Sequence, residues 1–164
     1  MDPTKLLKKQ HREVEALFKR IGKTEEAFER RRLMDEISAK LTMHTKLEEE
    51  IFYPAVREVP TKKAEEMVLE AYEEHHVVKL VLAELPRVDP EDERFEAKMT
   101  VLKEMVEHHV AEEEDEMFKL ADNIDEDELD ALGERISVRP QQARGLTSSD
   151  RGLRGPSRSS RDRP

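Results

Sequence analysis

The stretch "HTKLEEEIFYP", residues 44–54, sets one histidine four places ahead of the first of three glutamates, then turns apolar and aromatic up to Pro54. On a helix the side chain at i+4 lies one turn on, about 40° round and roughly 6 Å along the axis, so His44 and Glu48 can point at one centre. The same letters also describe a solvated acidic helix, and the spacing alone does not decide between them. Glutamate makes up 28 of the 164 residues, so a Glu four places after a His arises from composition about one time in six. Four of the six histidines have one: His11 with Glu15, His44 with Glu48, His108 with Glu112 and His109 with Glu113.

Register separates the readings. Asp2 before Pro3 and the stop at Gly22 predict a first helix over about 3–21. A second starts near Thr24 and reads through to the neighbourhood of Pro54, and a third restarts at Thr61 and ends at Pro86. Asp89 and Pro90 form another cap-and-proline pair, predicting a fourth helix to about Asp122. Within these helices the apolar positions recur every three or four residues. The stripes are Leu7, His11, Val14, Phe18, Ile21; Leu33, Ile37, Leu41, His44, Glu48, Ile51, Ala55; Val68, Ala71, His75, Val78, Leu82, Leu85; and Phe95, Met99, Leu102, Val106, His109, Glu113. Each stripe contains a histidine, and two contain a glutamate one turn later. An inward carboxylate without a cation is costly, so Glu48 and Glu113 ask for one.

Composition supports an all-α fold. With 41% charged residues, five glycines, no tryptophan and no cysteine, the chain suits an up-down-up-down four-helix bundle, short loops forcing neighbours antiparallel. The expected organisation is a bundle over 1–122, a short C-terminal helix over 123–137 and a disordered tail over 138–164. That tail holds seven arginines against Asp150 and Asp162, a charge of +5, leaving −15 on the rest. Clustered Arg can contact polyanions or a protein partner, but no aromatic residue in the tail can stack on bases, which argues against nucleic acid. Without cysteine there are no disulfides, thiolate ligands or Cys nucleophiles. No run approaches a membrane span and "MDPTKLLKK" lacks a signal-peptide core, so a soluble, cytoplasmic protein is expected.

His11, His44, His75 and His109 stand 33, 31 and 34 residues apart, one per long helix. In an antiparallel bundle this period puts them at one height. Imidazoles and carboxylates in a protein interior are ligands of Fe, Mn or Zn, and two carboxylates among four imidazoles suit two bridged ions. The expected metal ligands are therefore His11, His44, Glu48, His75, His109 and Glu113. His76 and His108 fall off the stripes and read as surface residues, although Leu69, Tyr72, His76 and Leu80 form a competing stripe on the third helix.

The segments "LLKKQHREVEALF", "LTMHTKLEEEIFYP", "EAYEEHHVVKLVLAEL" and "EMVEHHVAEEEDEMF", in this order over about residues 1–121, resemble the hemerythrin-like, or HHE cation-binding, family. The resemblance implies a non-haem centre of two iron ions, Fe2+ or Fe3+, with an oxo, hydroxo or water bridge. His11 and His44 would serve one iron, His75 and His109 the other, with Glu48 and Glu113 bridging and Glu49 and Glu50 solvated. "EMF" after "HHVAEEE" matches "IFY" after "HTKLEEE" when counted from His109. Oxygen-carrying members place two histidines four apart on the third helix, whereas His75 here has Ala71 and Lys79 at those positions. One iron would then hold water or a neighbouring group such as Tyr72.

The resemblance therefore points to a di-iron protein that binds or reacts with dioxygen, peroxide or nitric oxide, as carrier or as oxidoreductase. The alternative is an iron or redox sensor acting through a protein-interaction surface formed by the last helix and tail. A zinc hydrolase would want a His-Glu-x-x-His element, which is absent. A ferritin-like site needs Glu-x-x-His on two helices, and only Glu73 to His76 fits.

Overall fold

The structure, a computed structural model, describes residues 1–149. Helix α1 (Pro3–Ile21) starts as expected: the Asp2 carboxylate accepts from the N–H groups of Thr4 and Lys5, and Gly22 follows the last turn. Helix α2 (Ala27–Leu47) begins three residues after Thr24, whose hydroxyl accepts from the Glu26 N–H. It does not run unbroken to Pro54. A π turn, Glu48–Phe52, interrupts it before the short α3 (Tyr53–Arg57). Thr61 caps α4 (Lys62–Glu84), which closes in a 3-10 turn at Leu85–Arg87.

Helix α5 (Glu93–Glu112) is capped by Asp92 rather than Asp89, which instead accepts from the Glu91 N–H inside the loop. Two guanidinium groups explain the delay. Arg31 donates to the carbonyls of Pro86 and Val88, and Arg30 to that of Pro90, so these carbonyls are satisfied without helix. A second π turn, Glu113–Met117, leads into α6 (Phe118–Ala121), and α7 (Glu126–Ser149) follows. Helix α7 thus covers the short helix expected to stop at 137 and runs on to Ser149. The rest of the expected tail, 150–164, lies outside the described residues.

Side-chain pairs give the directions. Gln10 meets His44 while Glu13 meets Lys40, so α1 and α2 are antiparallel. Glu74 meets His109 while Glu84 meets Lys98, so α4 and α5 are antiparallel too. The result is an up-down-up-down four-helix bundle, and every residue of the four predicted stripes is buried.

The apolar interior falls into two parts. One, from Val14 and Phe18 to Phe95 and Leu102, fills the end nearest the α1–α2 and α4–α5 loops. The other contains Leu7, Phe52, Tyr53, Val68, Met117 and Phe118, closed off by Leu132 and Ile136 of α7. A Cβ at Gly133 would lie 1.7 Å from the Met1 carbonyl oxygen, so α7 can cross the start of α1 only with glycine there. Gly133→Ala should lower stability in thermal unfolding by about 1–3 kcal/mol, the usual cost of overpacking. Among the described residues no helix is long and apolar enough to cross a membrane.

Candidate metal centre

Between the two apolar parts lies a polar layer built from all six expected residues. His11, His44, His75, His109, Glu48 and Glu113 are each 7% exposed or less. Their ligand atoms form two groups whose members lie within 4.8 Å of one another: His11, His44, Glu48 and Glu113, and Glu48, His75 and His109. Glu48 belongs to both. Its Oε1 is 2.8 Å from His44 Nε2, and its Oε2 is 3.1 Å from His75 Nε2. Glu113 Oε2 is 3.3 Å from His11 Nε2 and 3.9 Å from His109 Nε2, so it too faces both histidine pairs. His76 and His108 are exposed, as is Glu73, which removes the ferritin-like pairing from the interior.

The outer face of each imidazole is already committed. Nδ1 of His11 donates to Glu114 (2.7 Å), that of His75 to Glu49 (3.0 Å) and that of His109 to Glu74 (2.5 Å), while His44 Nδ1 meets Gln10 Oε1 at 2.7 Å. Ionised carboxylates only accept, so the ring proton sits on Nδ1 and a neutral ring presents its Nε2 lone pair inward. Those lone pairs face each other at 3.0 Å between His11 and His44 and at 3.1 Å between His75 and His109. With the rings neutral and Nε2 bare, Glu48 Oε1 and both oxygens of Glu113 are buried without a hydrogen-bond donor, close as the imidazole nitrogens are. Inward lone pairs and orphaned carboxylate oxygens repel one another unless a cation stands among them. The residues fit a metal, and outer carboxylates on the ligand histidines are the usual means of fixing ring orientation.

Without metal, protons take that part. Burial would lower the His11 pKa, but hydrogen bonding to Glu113 and Glu48 and their charges outweigh it and raise it to about 10. Burial likewise opposes His109, and the Glu74 hydrogen bond with the charges of Glu113 and Glu48 lifts it to about 9. Each histidine pair therefore carries a proton at neutral pH. Of the carboxyls, burial would raise Glu48, yet the surrounding His44, His11 and His75 hold it well below the usual range. Glu113 is raised by burial and by the neighbouring Glu48 charge.

The π turns bring to the layer a hydroxyl that the helical reading missed. In each, the residue five after the glutamate donates its N–H to the glutamate carbonyl: Tyr53 to Glu48, and Phe118 to Glu113. Such i→i+5 turns concentrate at functional sites, and here they aim the fifth residue back at the layer. The Tyr53 hydroxyl is 3.2 Å from Glu48 Oε2, 3.1 Å from His75 Nε2 and 3.2 Å from His109 Nε2. Phe118 at the matching place stacks on His11 with ring centroids 6.1 Å apart. The group beside His75 and His109 is thus Tyr53. Tyr72 instead donates to the Glu49 carbonyl oxygen, away from the layer.

Glu49 is not simply solvated either. It accepts from His75 Nδ1 and pairs with Lys79, whereas Glu50 is exposed and pairs with Arg139. The signal for Tyr53 was present in the matching of "IFY" with "EMF", which puts Tyr53 opposite Phe118.

Two voids adjoin the layer. One of about 20 Å³ lies beside all four buried histidines and is walled by Val14, Leu41, Val78 and Val106. The other is an open groove of about 380 Å³ between α1 and α5, lined by His11, Arg12, Phe18, Val106, Val110 and Glu114.

The model of the Hemerythrin HHE cation binding domain matches residues 2–121. The uncharacterized protein Rv2633c of Mycobacterium tuberculosis is 28% identical over 148 residues, 88% of this chain and 89% of that one. A DNA nickase of Nostoc is 26% identical over 113 residues, 69% of this chain but 31% of the nickase, so only a part of that enzyme corresponds. The crystal structure of a Hemerythrin HHE cation binding domain-containing protein of Mycobacterium kansasii, a homolog of Rv2633c, aligns with a TM-score of 0.77 at 28% identity, covering 91% of each chain. With its helices, its buried His and Glu layer and a domain match over most of its length, the chain belongs to the hemerythrin HHE cation-binding family.

Proposed function

We propose that the polar layer holds two iron ions, and that the protein binds or reacts with a small ligand such as dioxygen, peroxide or nitric oxide. The observation that carries this reading is the inward convergence of four Nε2 atoms and two carboxylates whose outer or neighbouring partners leave them no other use. His11 and His44 would hold one ion and His75 and His109 the other, with Glu48 and Glu113 available to both. Imidazole with carboxylate suits iron, manganese and zinc alike, and the phenol of Tyr53 adds a hard oxygen donor that favours ferric iron. When bound, iron supplies redox and Lewis-acid chemistry toward the small ligand.

The chain supplies the rest. Glu114, Gln10, Glu49 and Glu74 fix the imidazole planes, and the valine-walled void excludes bulk water beside the histidines. A void of about 20 Å³ admits one water-sized molecule, which supports a diatomic or peroxide over a larger substrate. The groove at His11 and Arg12 gives such a molecule a way in. Addition of peroxide or nitric oxide to the iron-loaded chain should change its near-ultraviolet or visible absorption. Turnover lost in His109→Ala would make the protein an oxidoreductase, and a reversible spectral change without turnover a carrier; no spectral response to any of the three ligands would contradict the reading.

Tyr53 has its own test. In the metal-free chain burial and the charges of Glu48 and Glu113 push its pKa well up, so the phenol keeps its proton until a cation displaces it. Tyr53→Phe is expected to retain iron while losing the visible absorption that a phenolate gives with ferric iron. An unchanged spectrum would place Tyr53 outside the ligand set.

One contact favours a second reading, an iron or redox sensor. Leu132 and Ile136 of α7 pack into the same apolar part as Tyr53, Met117 and Phe118, so a change at the centre is felt by the last helix. Protease sensitivity beyond residue 122 that differs between metal-free and loaded chains would support it. Identical cleavage would exclude it.

A further inference from the structure

Four helix seams reach the polar layer, and they differ in charge: at the α1–α2 seam the neutral Gln10 meets His44. At the α1–α5 seam Glu114 pairs with Arg12 at 2.6 Å, and at the α2–α4 seam Glu49 pairs with Lys79 at 2.6 Å. At the α4–α5 seam Glu70, Glu74 and Glu112 line a narrow cleft, and among the described residues none of them pairs with a lysine or arginine. The floor of that cleft is His109 and Glu113. Glu113 is 1% exposed and both of its oxygens lack a hydrogen-bond partner. At the mouth, Glu74, His108 and Glu112 bring three ligand atoms within 4.8 Å of one another, with His108 Nε2 3.3 Å from Glu112 Oε1. Glu74 is shared: it accepts from His109 Nδ1 below and belongs to the outer trio above.

We propose that Glu74, His108 and Glu112 form an outer transit site for a divalent first-row cation, through which the buried centre is loaded along the α4–α5 seam. One imidazole with two carboxylates suits Fe2+, Mn2+, Co2+ or Zn2+, and three protein ligands on a half-exposed surface leave the ion free to move on. An unneutralised acidic cleft concentrates cations; in the groove at Arg12 the carboxylates of Glu15, Glu107 and Glu114 are instead paired with Arg12, Lys19 or Lys103, which leaves Asp115 alone without such a partner among the described residues. The void of about 20 Å³ has room for one dehydrated ion at a time. Inside, the orphaned Glu113 carboxylate is the first strong partner such an ion meets. His108 thereby gains a use that its exposed position off the buried stripe does not suggest.

This inference rests on the buried-centre reading, and Co2+ separates the two. The full-length chain, stripped of metal with a chelator, is mixed with Co2+ below one equivalent, and the rise of the cobalt absorption bands is followed in wild type and in the double variant His108→Gln with Glu112→Gln. Both substituted side chains are largely solvent-facing, so the fold is kept. The double variant should load about tenfold more slowly, the scale of electrostatic focusing, and reach the same final occupancy. Wild-type chain with its centre filled should bind one further, weaker Co2+ that the variant does not. Equal loading rates, or equal ion counts, overturn the transit site. A wild-type chain that binds only the weak ion, lost in the variant, would instead contradict the buried centre.

Discussion

Glu48→Ala is expected to purify without either ion and to unfold about 3–5 kcal/mol more readily than the metal-free wild type, the usual cost of removing one partner from a buried charge cluster. Glu48 is the one side chain common to both ligand groups, and it is fully buried. In the proposed two-ion centre its removal would take a ligand from each ion, and it would leave the protons on His11 and His109 facing fewer counter-charges. A loss of that size is a large fraction of the ~5–15 kcal/mol that stabilises a domain. Glu48→Gln keeps the volume and separates charge from packing: it too should lose the ions. Glu113→Ala should also lose metal but destabilise the metal-free form less, because burial and the Glu48 charge oppose the ionised form of Glu113, whereas the histidines around Glu48 favour its own. Elemental analysis and urea unfolding of the three variants check this ordering. Equal metal-free stability of Glu48→Ala and wild type would contradict it.

Metal removal has the second large effect, and pH sets its size. Ion binding at a hundredfold excess over Kd contributes about 2.7 kcal/mol per site. Two sites together should raise the midpoint of thermal unfolding by roughly 10–20 °C in a chain of this length. In the metal-free chain the folded-state pKa values of His11, about 10, and His109, about 9, lie above their ordinary 6.5. The stability they contribute is complete below pH 6.5 and is lost as pH rises toward 10. The metal-free bundle should therefore weaken steadily from pH 6.5 to 10 while the loaded bundle does not, and the stabilisation by metal should grow over the same window. Loading at neutral pH should release the protons held by His11 and His109 together with that of the Tyr53 phenol, about three for the two ions. Thermal unfolding with and without chelator at pH 6.5, 8 and 9.5 measures the difference, and a metal-free midpoint that rises with pH contradicts the protonation pattern.

The helical stripes were readable because burial follows the 3.6-residue period, and all four, with their six His and Glu residues, lie inside. Register also puts His75 inside and His76 on the surface, where the structure has them. Features that break the period could not be read from it. The π turns at Glu48 and Glu113 insert an extra residue per turn, so a straight helix at Pro54 gave no reason to point Tyr53 inward. Glu residues off the stripes make a second set of contacts that the period does not show. Glu49, Glu74 and Glu114 lie beside the stripes, where a long side chain can reach across a seam to an imidazole Nδ1 on another helix. A cap followed by proline points to Asp89; Arg30 and Arg31, distant in sequence, hold the loop open past it, so that Asp92 caps the helix.

The most direct measurement is the metal content of the full-length chain purified without added metal, taken beside Glu48→Gln. Two irons per wild-type chain and none in the variant is the expected result. A wild-type chain with no metal, or with one zinc that Glu48→Gln retains, would contradict a di-iron centre in this layer.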